Sequence, residues 1–161
     1  MISCSHDQAG WNGAPGTCAY ASSKFALEAL TEVLSNEGAF FGIKAIVFEP
    51  GVTNTGIIKK TSPSRQHSEP AYDRTHKSGS EYMRTFSPLG DKERMVAAMI
   101  DVLARDETPL PARLPLGSDA LEVVTTKCLE TLKICQQWHR LIIGTDRDGV
   151  AKTVTISPFA H

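Results

Sequence analysis

The chain has 161 residues, 41% of them hydrophobic, and 17 Lys+Arg against 18 Asp+Glu leave a formal net charge of −1. That length and apolar content suffice for one domain with a sizeable core, and the balanced charge gives no electrostatic case for nucleic acid or an anionic membrane surface as partner. Neither a run of about eighteen apolar residues nor a charged-then-apolar leader is present, so no membrane span or secretory signal is expected, and a cytoplasmic protein that meets small molecules or other chains is. Cys4, Cys18, Cys128 and Cys135 show no C-x-x-C spacing and read as reduced, partly buried thiols rather than a disulfide scaffold.

Met1, Ile2 and Cys4 suit the end of a buried strand. Gly10, Gly13, Pro15 and Gly16 then punctuate a loop, and Thr17 is placed to cap the helix that follows. The helix should run to about residue 37 and stop at Gly38, with Ala26, Leu27, Leu30, Val33 and Leu34 recurring at three and four as a buried stripe requires. Its first turns carry Tyr20-Ala21-Ser22-Ser23-Lys24, a phenol and an ammonium four residues apart. That spacing stacks the two on nearly one face, offset by roughly 6 Å of rise. A phenol of ordinary pKa near 10 holds its proton too tightly to be a good base at neutral pH. A fixed positive charge within about 4–6 Å favours the phenolate, so Tyr20 is a candidate proton donor and acceptor for an alcohol or carbonyl. Such a pair also occurs as an ordinary surface contact.

Residues 43–48 form a short apolar run broken by Lys44, as in a strand covered on both faces of a parallel sheet. It opens on the turn Pro50-Gly51-Val52-Thr53-Asn54-Thr55. Residues 56–90 are polar and Ser-rich, with Pro63, Pro70 and Pro88 spaced through them, and read as a functional or flexible loop with one short helix near 71–84. Residues 91–105 predict an amphipathic helix with Asp91 as cap and Val96, Met99, Ile100 and Leu103 on one face. Leu114-Pro115-Leu116-Gly117-Ser118-Asp119-Ala120 reads as a last strand and its turn. Ser118 or Asp119 then caps a helix through residue 134 with Leu121, Val124, Cys128 and Leu132 as its apolar face. From Gly144 onward the chain reads as an irregular tail, in which 150–156 could add an edge strand. His67, His76, His139 and His161 have no metal-ligand spacing, and no metal site is expected.

The order of loop, helix with Tyr20 and Lys24, strand, and Pro50-Gly51 turn resembles the short-chain dehydrogenase/reductase family. The Ala26-Leu27-Glu28-Ala29-Leu30-Thr31-Glu32 and Gly42-Ile43-Lys44 stretches, and the later Leu114 to Ala120 segment, fit the same pattern. The resemblance implies an α/β fold, part of a doubly wound Rossmann-type parallel sheet, over 1–143, with 144–161 as a tail and 56–90 as the lid over the substrate. No Gly-rich phosphate turn opens a helix after a strand here, so the family's first four strands, its pyrophosphate site and its catalytic Asn are expected upstream.

The roles implied by the resemblance fall on matching positions. Tyr20 would be the general acid or base, and Lys24 would hold the cofactor ribose and lower the pKa of Tyr20. The Pro50-Gly51 turn would carry the backbone of Val52 and Thr53 to the nicotinamide carboxamide, and the Thr55 hydroxyl would reach the pyrophosphate; ordinary turn chemistry is the alternative for Thr53 and Thr55. NAD or NADP would be the cofactor, with binding by this stretch expected to be impaired without the Gly-rich half, and a small carbonyl or alcohol the substrate. The family's catalytic serine, which polarises the substrate oxygen, has no clean match. The usual spacing lands on Asp7, a carboxylate that would repel a developing alkoxide; Ser5 serves if His6-Asp7 is an insertion, and Ser3 should sit deeper in the strand. His6 reads as a solvated loop residue or a base. Two other readings remain: an inactive remnant, and a pairing module, since the Tyr/Lys helix in the family also packs against its counterpart in a homo-oligomer.

Overall fold

The computed structural model describes residues 2–5, 10–54, 69–72, 87–105 and 110–149. Its centre is a sheet of three strands, β1 (Ile2–Ser5), β2 (Ala45–Pro50) and β3 (Arg113–Leu116), in the order β1-β2-β3 and parallel throughout. Parallel neighbours need a long crossover. The helix α1 (Cys18–Gly38) lies in the first connection and α2 (Lys92–Ala104) in the second, while α3 (Ser118–Gln137) and the short α4 (His139–Ile143) follow β3. The expected α/β architecture, part of a Rossmann-type parallel sheet, is what this chain forms.

The middle strand holds the core. Ala45, Ile46, Val47, Phe48 and Glu49 are all buried, because β2 has a strand on either side and α1 packed against it. The strand begins two residues later than the hydropathy predicts, and Ile43 is instead 39% exposed. The cause is the way α1 ends. The α-helix ends at Gly38 as expected, but the chain runs on through a 3-10 turn, Ala39–Phe41, and turns out only at Gly42, whose φ of +68° is the left-handed conformation a glycine adopts freely. The Ile43 N–H reaches back to the Gly38 carbonyl at 2.9 Å and the Gly42 N–H to Ala39 at 3.1 Å, a Schellman closure that consumes Ile43.

The buried face of α1 also differs from the predicted stripe. Ala21, Glu28, Thr31 and Gly38 face inward, whereas Ala26, Leu30 and Val33 are exposed and Leu27 and Leu34 are half-buried. Two polar residues can occupy the inner face because each has a partner: Thr31 returns its hydroxyl to the Leu27 carbonyl at 2.9 Å, and Glu28 meets Arg113. Thr17 precedes the helix as expected, but its hydroxyl donates to the Ala14 carbonyl at 2.7 Å and accepts from the Ala14 N–H at 3.2 Å rather than capping α1.

Asp91 caps α2 as predicted, accepting from Glu93 N at 2.9 Å and Arg94 N at 3.1 Å. The face it turns inward is set by Met95, which is buried, while Val96 and Ile100 are exposed. In α3 only Ala120 is buried, and the predicted apolar positions Leu121, Cys128 and Leu132 are exposed. The cap position of α3 is Gly117, neither Ser118 nor Asp119; Asp119 has a different partner, described below. Cys18, Cys128 and Cys135 are free and exposed rather than partly buried. The region predicted as a short helix near 71–84 is described only at its start, a 3-10 turn over Pro70–Tyr72, and the rest of it and the edge strand at 150–156 lie outside the described residues. No helix of the described residues is long and apolar enough to cross a membrane.

Candidate active site

Tyr20 and Lys24 come together as their spacing dictates. Both sit in the first two turns of α1, and the Lys24 Nζ lies 5.3 Å from the centroid of the Tyr20 ring, over its face. Tyr20 is 47% exposed and Lys24 half-buried, so a phenol and an ammonium share one accessible patch. Ala21 between them is buried and anchors this turn of the helix to the protein. The Ser23 hydroxyl donates to the Tyr20 carbonyl at 2.7 Å and is thereby turned toward its own helix.

The Pro50-Gly51 turn begins at the carboxyl end of β2, the end of a parallel strand at which α/β sheets bind their ligands. It is stitched down on two sides. Gly51 N–H donates to the Leu116 carbonyl at 2.7 Å, and Val52 N–H donates to Asp119 Oδ2 at 2.7 Å. On the other side the Gly90 N–H donates to the Val52 carbonyl at 3.0 Å, and Thr53 bridges Gly90 in parallel. Val52 thus spends both its backbone groups inside the protein, while Thr53 beside it is half-exposed and Asn54 exposed. Thr55 lies outside the described residues, as do His6 and Asp7.

Ser5 ends β1 and pairs with Phe48, two residues before Pro50, so its backbone is at the same end of the sheet as the turn. Ser3 pairs with Ile46, two positions deeper.

One turn beyond Lys24 on the same helix, Glu28 enters the core and is 2% exposed. It faces Glu49 of β2, itself fully buried, and pairs with the Arg113 guanidinium of β3. Arg113 also reaches Glu32 at 3.2 Å and lies over the Trp11 ring, 5.2 Å from its centroid. Burial pushes the Glu28 carboxyl up to about 7; Arg113 opposes that rise, and the neighbouring Glu49 adds to it. Two facing carboxylates can only accept hydrogen bonds, so a proton kept on Glu28 supplies the donor the pair needs.

A family model described as short chain dehydrogenase matches residues 4–66. The chain is 34% identical over 136 residues to Oxidoreductase BOA17 of Botryotinia fuckeliana (strain B05.10), an alignment covering 83% of this chain and 48% of that protein. Its fold superposes with a TM-score of 0.74 on the crystal structure of a short-chain dehydrogenase from Streptomyces avermitilis, at 30% identity, covering 91% of this chain and 52% of the other. All three likenesses point to the short-chain dehydrogenase/reductase family as what this chain resembles. It spans about half the length of both relatives.

Short-chain dehydrogenases generally use NAD or NADP, and the residues present suit one end of such a dinucleotide. An exposed phenol, an ammonium on the same helix face and a small-residue turn at the end of a parallel strand match a nicotinamide and its ribose in donor chemistry. Sequence reading missed the supports beneath that site: Asp119 under the turn, and the Glu28–Glu49–Arg113 cluster under the helix. A signal existed for Glu28 alone, since Tyr20, Lys24 and Glu28 stand at successive intervals of four on the helix, but none for its partners on β2 and β3. No comparable signal marks Asp119, which reaches Val52 across 67 positions of sequence.

Proposed function

We propose that this chain carries the proton-transfer side of an NAD(P)-dependent oxidoreductase site acting on a small carbonyl or alcohol. The observation that carries the reading is the Lys24 ammonium held 5.3 Å from the Tyr20 ring on an accessible part of α1. A bound nicotinamide would supply or accept the hydride. Tyr20 would give its phenolic proton to the oxygen of a carbonyl being reduced, or take one from an alcohol being oxidised. The adjacent ammonium stabilises the phenolate left behind, because opposite charge at short range favours the ionised form. Lys24 would also donate to the ribose hydroxyls, having three N–H groups and no acceptor.

Ser5 would donate to the substrate oxygen from the end of β1, a role that grows in value as charge develops there. Thr53 and Thr55, with Pro50, Gly51 and Val52 shaping the turn, would face the cofactor's carboxamide and pyrophosphate. The relatives named above, an oxidoreductase and a short-chain dehydrogenase, support the reaction class. Pairing of two copies along α1 is the accompanying proposal for assembly, supported by the exposure of Phe25, Leu30 and Val33 on that helix.

Titration of the chain with NADH and NADPH, followed by turnover assays over a panel of aldehydes and ketones, tests this reading. Tyr20→Phe should lower kcat by about 10²–10⁴-fold, the usual worth of a positioned acid, while leaving cofactor affinity nearly unchanged. Absence of saturable binding of either cofactor by the wild-type chain would refute it.

A further inference from the structure

The Asp119 carboxylate does more at the end of the sheet than begin a helix. It stands in the first turn of α3, where the helix N-terminus favours negative charge, and it sends Oδ2 to the Val52 N–H at 2.7 Å. A carboxylate accepting from a backbone amide is a charge-assisted bond, stronger than a neutral one. The other oxygen, Oδ1, is buried and has no hydrogen-bond partner among the described residues. It is wedged against backbone: a methyl group added at Gly51 would stand 1.9 Å from it, and one at Gly117 would stand 2.9 Å from it. A buried acceptor left unsatisfied costs stability, so packing alone does not explain a charged residue here.

We propose that Asp119 is the positioning residue of the Pro50–Thr53 turn. Its carboxylate fixes Val52 from the β3–α3 side, Gly90 fixes it from the other, and Gly51 is glycine because the carboxylate occupies the volume of a Cβ. The bond removes Val52 N–H from competition for a ligand. The importance of that shape to cofactor binding rests on the reading in the preceding subsection; the clamp itself does not.

Amide hydrogen exchange by NMR on the full chain tests the clamp. In Asp119→Ala the Val52 amide should exchange about tenfold faster or more, while the Ile46, Val47 and Phe48 amides of β2 keep their protection. Asp119→Asn keeps an acceptor of the same shape and should restore Val52 to within about threefold of wild type. Gly51→Ala leaves residue 119 intact and should release Val52 by displacing the carboxylate; combined with Asp119→Ala it should add little further, since the obstacle is gone. This variant decides the matter should Asp119→Ala fail to fold. Unchanged Val52 exchange in the single variants, or an equal rise across β2, would overturn the proposal. NADH and NADPH titrations of the same proteins address the reading beneath it: affinity should fall in Asp119→Ala and return in Asp119→Asn. If wild type binds neither, the cofactor reading fails while exchange still judges the clamp.

Discussion

Glu28 takes a carboxyl into the core one turn beyond the Lys24 ammonium, and its chemistry there is no longer that of a surface glutamate. Unfolded, it releases its proton near the ordinary value of 4.5; folded, it keeps it up to about 7. Between those values the folded chain binds more protons than the unfolded one, so stability falls as pH rises from about 4.5 to about 7 and is level on either side. The fall should amount to roughly 3 kcal/mol, and urea unfolding at a series of pH values measures it. Glu28→Gln, which has no proton to lose, should flatten that slope. Trp11, stacked against Arg113, shields the same cluster from outside. The pairing of Glu28 with Arg113, 85 positions apart, was invisible in the sequence, which showed only a charged residue in a helix and an arginine before a proline-broken strand.

At the scale of elements, Arg113 ties α1 to β3 across β2. Replacing it with methionine leaves Glu28 facing Glu49 without a cation, and loss of one partner from a buried pair is expected to cost roughly 3 kcal/mol above pH 7, where Glu28 is ionised. The same change removes the charge that holds the Glu28 carboxyl down, so the window of falling stability should extend above pH 7 in Arg113→Met, as read by the same unfolding series. The closure of α1 makes a separate prediction. Gly42→Ala places a Cβ on a left-handed residue and should cost about 1 kcal/mol, visible as a lower melting temperature with an unchanged circular dichroism spectrum. Helix positions were legible because capping and turn residues act within a few positions; Asp91 before α2 is the clearest case. Which face each helix buries was less so. Leu30 and Val33 satisfy the period of a buried stripe as well as Glu28 and Thr31 do, and only partners from β2 and β3 select between the two.

For the molecule as a whole, the sheet is well covered at β2 while much apolar surface stands outward. Phe25, Leu30 and Val33 on α1, and Leu121, Leu129 and Leu132 on α3, are each about half exposed or more. Exposed apolar side chains recurring along a helix favour association. Sedimentation should therefore show self-association at micromolar concentration, and Leu30→Glu or Val33→Glu should shift it toward monomer, by placing a charge on the α1 face. If both variants sediment as wild type does, α1 is not the contact and another face is.

Local chemistry was enough to place the main helices and the middle strand and to set Tyr20 beside Lys24, because a four-residue helical interval fixes two side chains relative to each other whatever surrounds them, while the α/β class followed from the family resemblance. The carboxylate under the Pro50–Thr53 turn, the buried acid between three elements and the outward Leu30 were decided by tertiary structure. Each depends on which strand or helix end arrives from far along the chain, and burial, charge and hydrogen-bond partners come into being only when those segments meet.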